Sequence, residues 1–314
     1  MSTLSAALKK YLALRRKLGA QLRGVDSGLR DFVAFAKRQG APYITTDVAL
    51  DWAQKPAQAQ PATWASRLRM VRGFAVWLSA TDGRTEVPPV GLLPYRYRRQ
   101  PPYIYTDAEI AALVRAATRL ASPQGLRGRT YSTIFGLLSV TGMRVSEALA
   151  LNHKDVDLEQ GILTIRLTKF GKSRLVLLHE STRQVLAAYV HARDRVVRRP
   201  ATAAFFLSEL GTRVSGCATR YNFAKVSRTV GLRSPVPGCR HGHGPRLHDL
   251  RHRFAARTLV DWYRKGVDVE RELPKLATYL GHAHVNDTYW YIEAVPELLE
   301  LATRRLEKRR EVEP

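Results

Sequence analysis

The chain has 314 residues, enough for one large domain or two modest ones. Hydrophobic residues make up 45% and charged residues 25%, so a packed core can form and wholesale disorder is excluded. Lys and Arg total 51 against 27 Asp and Glu, a net charge of +24, which points to a polyanionic partner, nucleic acid first, over a merely soluble basic protein.

The N-terminal stretch, MSTLSAALKKYLALRRKLGA, mixes Lys and Arg through its apolar positions and lacks the uninterrupted apolar core of a signal peptide. Residues 5–80 read as short helices. Leu4, Ala7, Leu8, Tyr11 and Leu14 recur at helical spacing, and Leu29, Phe32, Val33 and Phe35 form a second face. Asp47 is expected to cap a third helix through Ala49 and Trp52. Residues 62–78 make a fourth, with Trp64, Leu68, Val71, Phe74 and Trp77 toward a core. Its other faces carry Arg67, Arg69 and Arg72, which suit either phosphate contacts or a solvated face.

Composition shifts near Thr81. Prolines at 88, 89, 94, 101 and 102 forbid a continuous helix, so residues 83–105 read as an interdomain linker after a helical domain over 1–82. Its Arg96, Arg98 and Arg99, interleaved with Tyr95, Tyr97 and Tyr103, suit a segment tracking a nucleic-acid backbone, or one packed on a neighbouring domain. A larger unit spans 106–295. Thr106 or Asp107 caps its first helix, and residues 131–140 read as a buried helix broken by Thr141-Gly142. Residues 161–167 and 174–179 form a β-hairpin with Lys169 and Lys172 at its tip. Helices follow over 182–197 and 218–230, with a short strand at 205–207. Residues 234–245, holding Gly and Pro, read as loop, and helices return over 247–265 and 273–280. Residues 296–314 read as a tail whose helix is amphipathic, with Pro296 in its first turn.

Cys217 and Cys239, the two cysteines, make no disulfide framework and suit a reducing compartment. No apolar run is long enough to cross a bilayer, so a soluble, cytoplasmic, nucleoid-associated protein with no membrane partner is expected. Cys239, His241, His243 and His248 could in principle ligate zinc. Their spacing fits no standard finger, so a basic loop is the reading and no metal is expected.

The chemistry concentrates in four places. In TGMRVSE, Gly142 allows a tight turn and Arg144 starts a helix, where the helix terminus adds to its attraction for an anion; Glu147 can hold it. In TKFGKSR, Lys169 can reach into a site from the hairpin tip, while Lys172 and Arg174 read as phosphate contacts. In LHDLRH, His248 and Arg251 share a helix face and can donate jointly to one phosphate; Asp249 and His252 are expected to point elsewhere. Arg246 and Arg253, flanking this box, are read as further DNA contacts. In LGHAHVNDTYWYIE, Gly281-His282 is followed nine residues on (291 − 282) by Tyr291.

An Arg box, a hairpin Lys, an HxxR box, a Gly-His pair and a Tyr nine residues on, in that order, resemble the tyrosine recombinase (phage integrase) family over about residues 106–310. The resemblance implies a mainly α fold with a small β-hairpin or sheet, arranged as a two-domain clamp of a helical core-binding domain and a catalytic domain. It implies site-specific recombination of double-stranded DNA through a 3′-phosphotyrosine and a free 5′ hydroxyl, with no ATP, metal or other cofactor. Arg144 and Arg251 would clamp the phosphate, and His248 would act as base or proton relay. His282 would hydrogen-bond the phosphate, Lys169 would protonate the 5′ oxygen, and Tyr291 would attack. Tyr289 competes as nucleophile, yet points roughly 200° away on a helix. The family further implies a homo-tetramer on two DNA sites, or an assembly with related recombinases, in the service of a mobile element. The tail helix would dock on a neighbouring protomer or fold back on its own domain. A type IB topoisomerase-like enzyme and a non-catalytic DNA-binding accessory protein are the competing readings.

Overall fold

The computed structural model describes residues 3–22, 24–96, 101–166, 173–236 and 239–312. The chain divides into two compact units, Met1–Gln100 and Pro101–Pro314. Among the described residues no helix is long and apolar enough to cross a membrane.

The first unit is a helical cluster of α1 (Leu4–Lys17), α2 (Val25–Arg38), α3 (Thr46–Gln54) and α4 (Pro61–Ser79). Thr45, rather than Asp47, caps α3: its extended backbone lets the hydroxyl accept from the Val48 amide at 3.2 Å, and Asp47 falls inside the first turn. Trp52, Phe32, Leu29, Val71 and Phe74 are fully buried at the centre. Trp52 donates to Asp31 at 2.8 Å, and the Arg67 guanidinium lies 3.8 Å from the indole ring centroid. Arg67 also donates to the Trp52 carbonyl, and Arg72 to the Pro88 carbonyl, so both hold the fold together, while Arg69 stays exposed. The proline-containing stretch after α4 packs on the same core through Val87 and Leu93.

The second unit opens with α5 (Asp107–Thr118), started by a capping box in which Thr106 and Glu109 satisfy each other's backbone amides. Helix α6 (Leu126–Thr141) is buried on nearly every side, as its apolar run requires. After α7 (Val145–Ala150) comes a three-stranded antiparallel sheet, β1 (Val156–Asp157), β2 (Ile162–Ile165) and β3 (Arg174–Leu177), in that order. Leu163, Ile165 and Val176 turn inward from it. Lys169 and Lys172 lie outside the described residues, between β2 and β3. Helices α8 (Glu180–Val196) and α9 (Gly216–Thr229) follow. Phe205, Phe206 and Leu207 are buried, but residues 204–213 make only isolated bridges, Asn152 with Ala204 and Leu207 with Arg213, not the expected strand.

Residues 234–243 depart from the expected loop. They pair as β4 (Ser234–Val236) and β5 (Cys239–His243), an antiparallel ribbon with an irregular register. A short two-stranded pair tolerates the Pro235 and Gly242 that lie within it. The side chains of Cys239 and His241 lie outside those described.

The last four helices, α10 (Asp249–Arg264), α11 (Val269–Leu280), α12 (Asn286–Ala294) and α13 (Pro296–Val312), share a core of Ala255, Leu259, Leu273, Leu280, Tyr291 and Leu298. Leu298 is fully buried, Glu297 pairs with Arg264 at 2.7 Å, and Arg305 donates to the Val267 carbonyl at 2.5 Å. The described part of the tail helix thus packs on its own domain.

Candidate active site

Helix α6 ends on Gly142, whose φ of 60° is left-handed. A Cβ there would meet the Phe254 ring at 2.4 Å, so both the turn and the packing demand glycine. The turn delivers Arg144 to the N-cap of α7. Its amide and its Nη1 each donate to Glu147 at 2.8 Å. Arg174, across the sheet, takes the same carboxylate in a two-pronged grip at 3.1 and 2.7 Å, and its Nε donates to the Tyr279 carbonyl at 2.7 Å. Arg174, expected as a phosphate contact, is thus held from three sides by acceptors of the protein itself. Burial alone would raise the Glu147 carboxyl; the Arg174 and Arg144 donors outweigh it and hold it below the ordinary range.

Arg251, in the first turn of α10, is 2% exposed. It donates to the Gly142 carbonyl at 2.8 Å and to the Leu280 carbonyl at 2.7 Å. Arg144 donates to the Gly281 carbonyl at 2.8 Å. Each guanidinium is thus held by backbone from an element more than a hundred residues away or from the end of α11. Gly281 caps α11 with a φ of 68°. A Cβ on it would stand 2.9 Å from Arg174 Nη1 and 3.3 Å from Arg144 Nη1. Desolvation first, and the neighbouring Arg144 charge second, pull Arg251 down to about 10, which leaves it charged at neutral pH. Two guanidiniums held this close attract an anion strongly.

His282 follows Gly281. Its Nδ1 lies 2.7 Å from the Thr288 hydroxyl, a fully buried group that fixes the ring. Burial, then Arg251 and Arg144, lower its pKa to about 4, so the ring is neutral at pH 7. His248 stands at the exposed start of α10, and desolvation followed by the Arg251 charge lowers its pKa as well.

Tyr291 projects from α12 into this cluster and is 2% exposed. Its ring lies 6.3 Å from that of His282, nearly parallel, and 5.5 Å from that of His252. Its charged form would raise the pKa of Arg251, so the two side chains stand within electrostatic reach. Tyr289, two residues back, is 43% exposed and faces away from this core.

Asp249 and His252, expected to point elsewhere, face the cluster. Asp249 is buried and accepts from the Arg246 amide at 2.7 Å and its guanidinium at 2.9 Å. His252 places Nδ1 3.1 Å from the Tyr291 hydroxyl. The available signal was the spacing: His252 is four residues after His248, and positions i and i+4 share a helix face as i and i+3 do. Arg246 keeps 53% of its side chain exposed beside Asp249. Arg253, expected as a DNA contact, is 9% exposed, donates to the Tyr105 carbonyl at 3.0 Å and pairs with Asp107, so it ties the start of α5 to α10.

The structure therefore gathers Arg144, Arg251, His282 and Tyr291, with His248 at the rim. Residues 104–297 match the phage integrase family. The chain is 48% identical over 313 residues to a Sinorhizobium fredii protein, y4rB, named as an integrase/recombinase, with 98% of each chain covered. It is 30% identical over 249 residues to the tyrosine recombinase XerD of Neisseria meningitidis serogroup B, covering 79% of this chain and 76% of that one. Its fold is similar to that of the XerH site-specific recombinase bound to a palindromic difH substrate in a post-cleavage complex. The TM-score is 0.64 at 18% identity, with 98% of this chain and 86% of that one covered.

Proposed function

The chain belongs to the phage integrase family and is a tyrosine recombinase that cleaves and rejoins DNA strands; on that premise we propose how its own residues divide the work. Tyr291 attacks the scissile phosphorus and leaves a 3′-phosphotyrosine and a free 5′ hydroxyl. Arg144 and Arg251 bind the non-bridging oxygens, where negative charge grows as the new bond forms. His282, its ring fixed by Thr288, donates a hydrogen bond to the same phosphate, and His248, at the mouth, serves as base or proton relay. Lys169 protonates the departing 5′ oxygen. Religation reverses these steps, since the bond energy is kept in the phosphotyrosine. Double-stranded DNA is held along the basic surface, to which Arg246 contributes an exposed guanidinium.

One observation supports this reading: a buried tyrosine within electrostatic reach of Arg251, which neighbours Arg144, with both guanidiniums bonded to backbone carbonyls. We further propose that the protein serves a mobile element, acting on DNA in the cytoplasm as a tetramer across two sites. A suicide DNA substrate, whose cut 5′ fragment diffuses away, tests the assignment. The intact chain and Tyr289→Phe should trap a covalent adduct, and Tyr291→Phe should trap none. An adduct that survives Tyr291→Phe and disappears with Tyr289→Phe would overturn it.

A further inference from the structure

We infer that His252 is the immediate proton acceptor for Tyr291, with Asp249 behind it to stabilise the imidazolium that forms. The inference rests on the recombinase reading above and deepens it, because it shifts the base from His248 to a neighbouring ring.

The geometry argues for it atom by atom. His252 Nδ1 lies 3.1 Å from Tyr291 Oη, a hydrogen-bond distance for the group that must lose its proton. A lone pair on Nδ1 requires the proton on Nε2, and Nε2 is the nitrogen turned toward Asp249, whose Oδ1 is 3.9 Å away. Asp249 is 2% exposed and held by Arg246, so its position is set from the protein side. The His252 ring is itself confined. His248 packs edge-on at 4.7 Å and Trp290 at 5.4 Å between ring centroids. Its side chain is 13% exposed.

The electrostatics set the timing. Desolvation first, then His248, Arg246, Arg251 and His282, hold His252 neutral, with a pKa lowered to about 3. A neutral ring keeps its Nδ1 lone pair available, and a ring this weakly basic needs added negative charge nearby to hold the proton. That value belongs to a pocket of cationic neighbours with no phosphate in it. A phosphodiester brings one negative charge and its transition state a second, and both favour an imidazolium beside Asp249. In the forward step the Tyr291 proton moves to His252 Nδ1 while the phosphorus–Oη bond forms. The phosphorus–O5′ bond breaks, and the 5′ oxygen takes a separate proton, from Lys169 in the reading above. In religation the 5′ hydroxyl gives its proton back to Lys169 and attacks, the phosphorus–Oη bond breaks, and His252 returns its proton to the phenolate. His248, beside Arg251, is then a phosphate ligand.

The test uses the full chain and the suicide substrate in single turnover. His252→Gln keeps a hydrogen-bonding side chain but cannot carry the proton; adduct formation should slow about 100-fold or more, with DNA binding retained. Replacing Tyr291 with a fluorinated tyrosine, a more acidic phenol, should restore His252→Gln by about tenfold. His252→Asn, with its amide near the place of Nδ1, is the second variant if the first folds poorly, and the same rescue is expected. A His252→Gln rate within about threefold of the parent, or slowing that the acidic phenol leaves in place, would overturn the inference. If the parent chain itself traps no adduct, the recombinase reading falls as well; if it does and His252→Gln matches it, only this inference falls.

Discussion

Replacing Gly281 with Ala should disable cleavage far more than it unfolds the protein. The residue sits at φ 68°, where an L side chain costs about 1–2 kcal/mol of backbone strain. The added Cβ would also stand 2.9 Å from Arg174 Nη1, 3.2 Å from its Cζ and 3.3 Å from Arg144 Nη1. The first distance is one that real Cβ atoms do not tolerate, so the guanidinium must move. Arg174 shares Glu147 with Arg144, and Arg144 donates to the Gly281 carbonyl itself. A shift of either arginine therefore pulls the phosphate clamp out of register. Loss of one preorganised donor to a developing oxyanion costs about 100- to 1,000-fold in rate. The strain alone should lower the melting temperature by roughly 2–8 °C, at about 2–4 °C per kcal/mol for a unit of this size. Single-turnover adduct formation read beside a melting curve separates the two effects. If Gly281→Ala melts lower by that amount yet forms adduct at the parent rate, the argument that this glycine sets the arginines' positions is wrong.

Three further outcomes follow from which groups are buried and which exposed. Arg253→Ala should destabilise the second unit by about 1–3 kcal/mol, by leaving the buried Tyr105 carbonyl without its donor, while Asp107 keeps Arg257 as its partner; the salt dependence of DNA binding should be unchanged. Arg246→Ala should instead reduce the slope of log affinity against log salt by about 1, if its exposed guanidinium meets a phosphate. Acid should weaken the fold early. Burial holds the folded pKa of His252 at about 3, below the ordinary histidine value of 6.5, so the unfolded chain binds the proton more tightly. The stabilisation is then fully present above pH 6.5 and is lost as pH falls toward 3. Between pH 6.5 and 5 the loss is about 2 kcal/mol for this side chain alone, and His282, lowered to about 4, adds to it in the same window. Urea unfolding at pH 7 and 5 measures this, and His252→Gln should flatten the difference.

The helical class, the hairpin sheet and the order of the Arg, His-Arg, Gly-His and Tyr boxes could all be read along the chain, because they depend on residue type and local spacing. Helical phase alone separates Tyr291, inside the core, from Tyr289, outside it. Local spacing also identified Glu147 as the partner of Arg144, three residues away.

Which charges would be free and which engaged was beyond the sequence. Arg174 and Arg253 look like DNA contacts in so basic a chain, yet both are occupied by acceptors that only folding brings near: Glu147 and the Tyr279 carbonyl for one, the Tyr105 carbonyl and Asp107 for the other. The carbonyls of Gly142, Leu280 and Gly281 that fix Arg251 and Arg144 are backbone atoms, which every residue carries and no motif records. His252 looked idle until α12 crossed α10 and set a phenol against its ring. Residue chemistry and helical phase were thus present in the string of letters, whereas the pairing of donors with acceptors more than a hundred positions apart is a property of packing, and packing alone decided it.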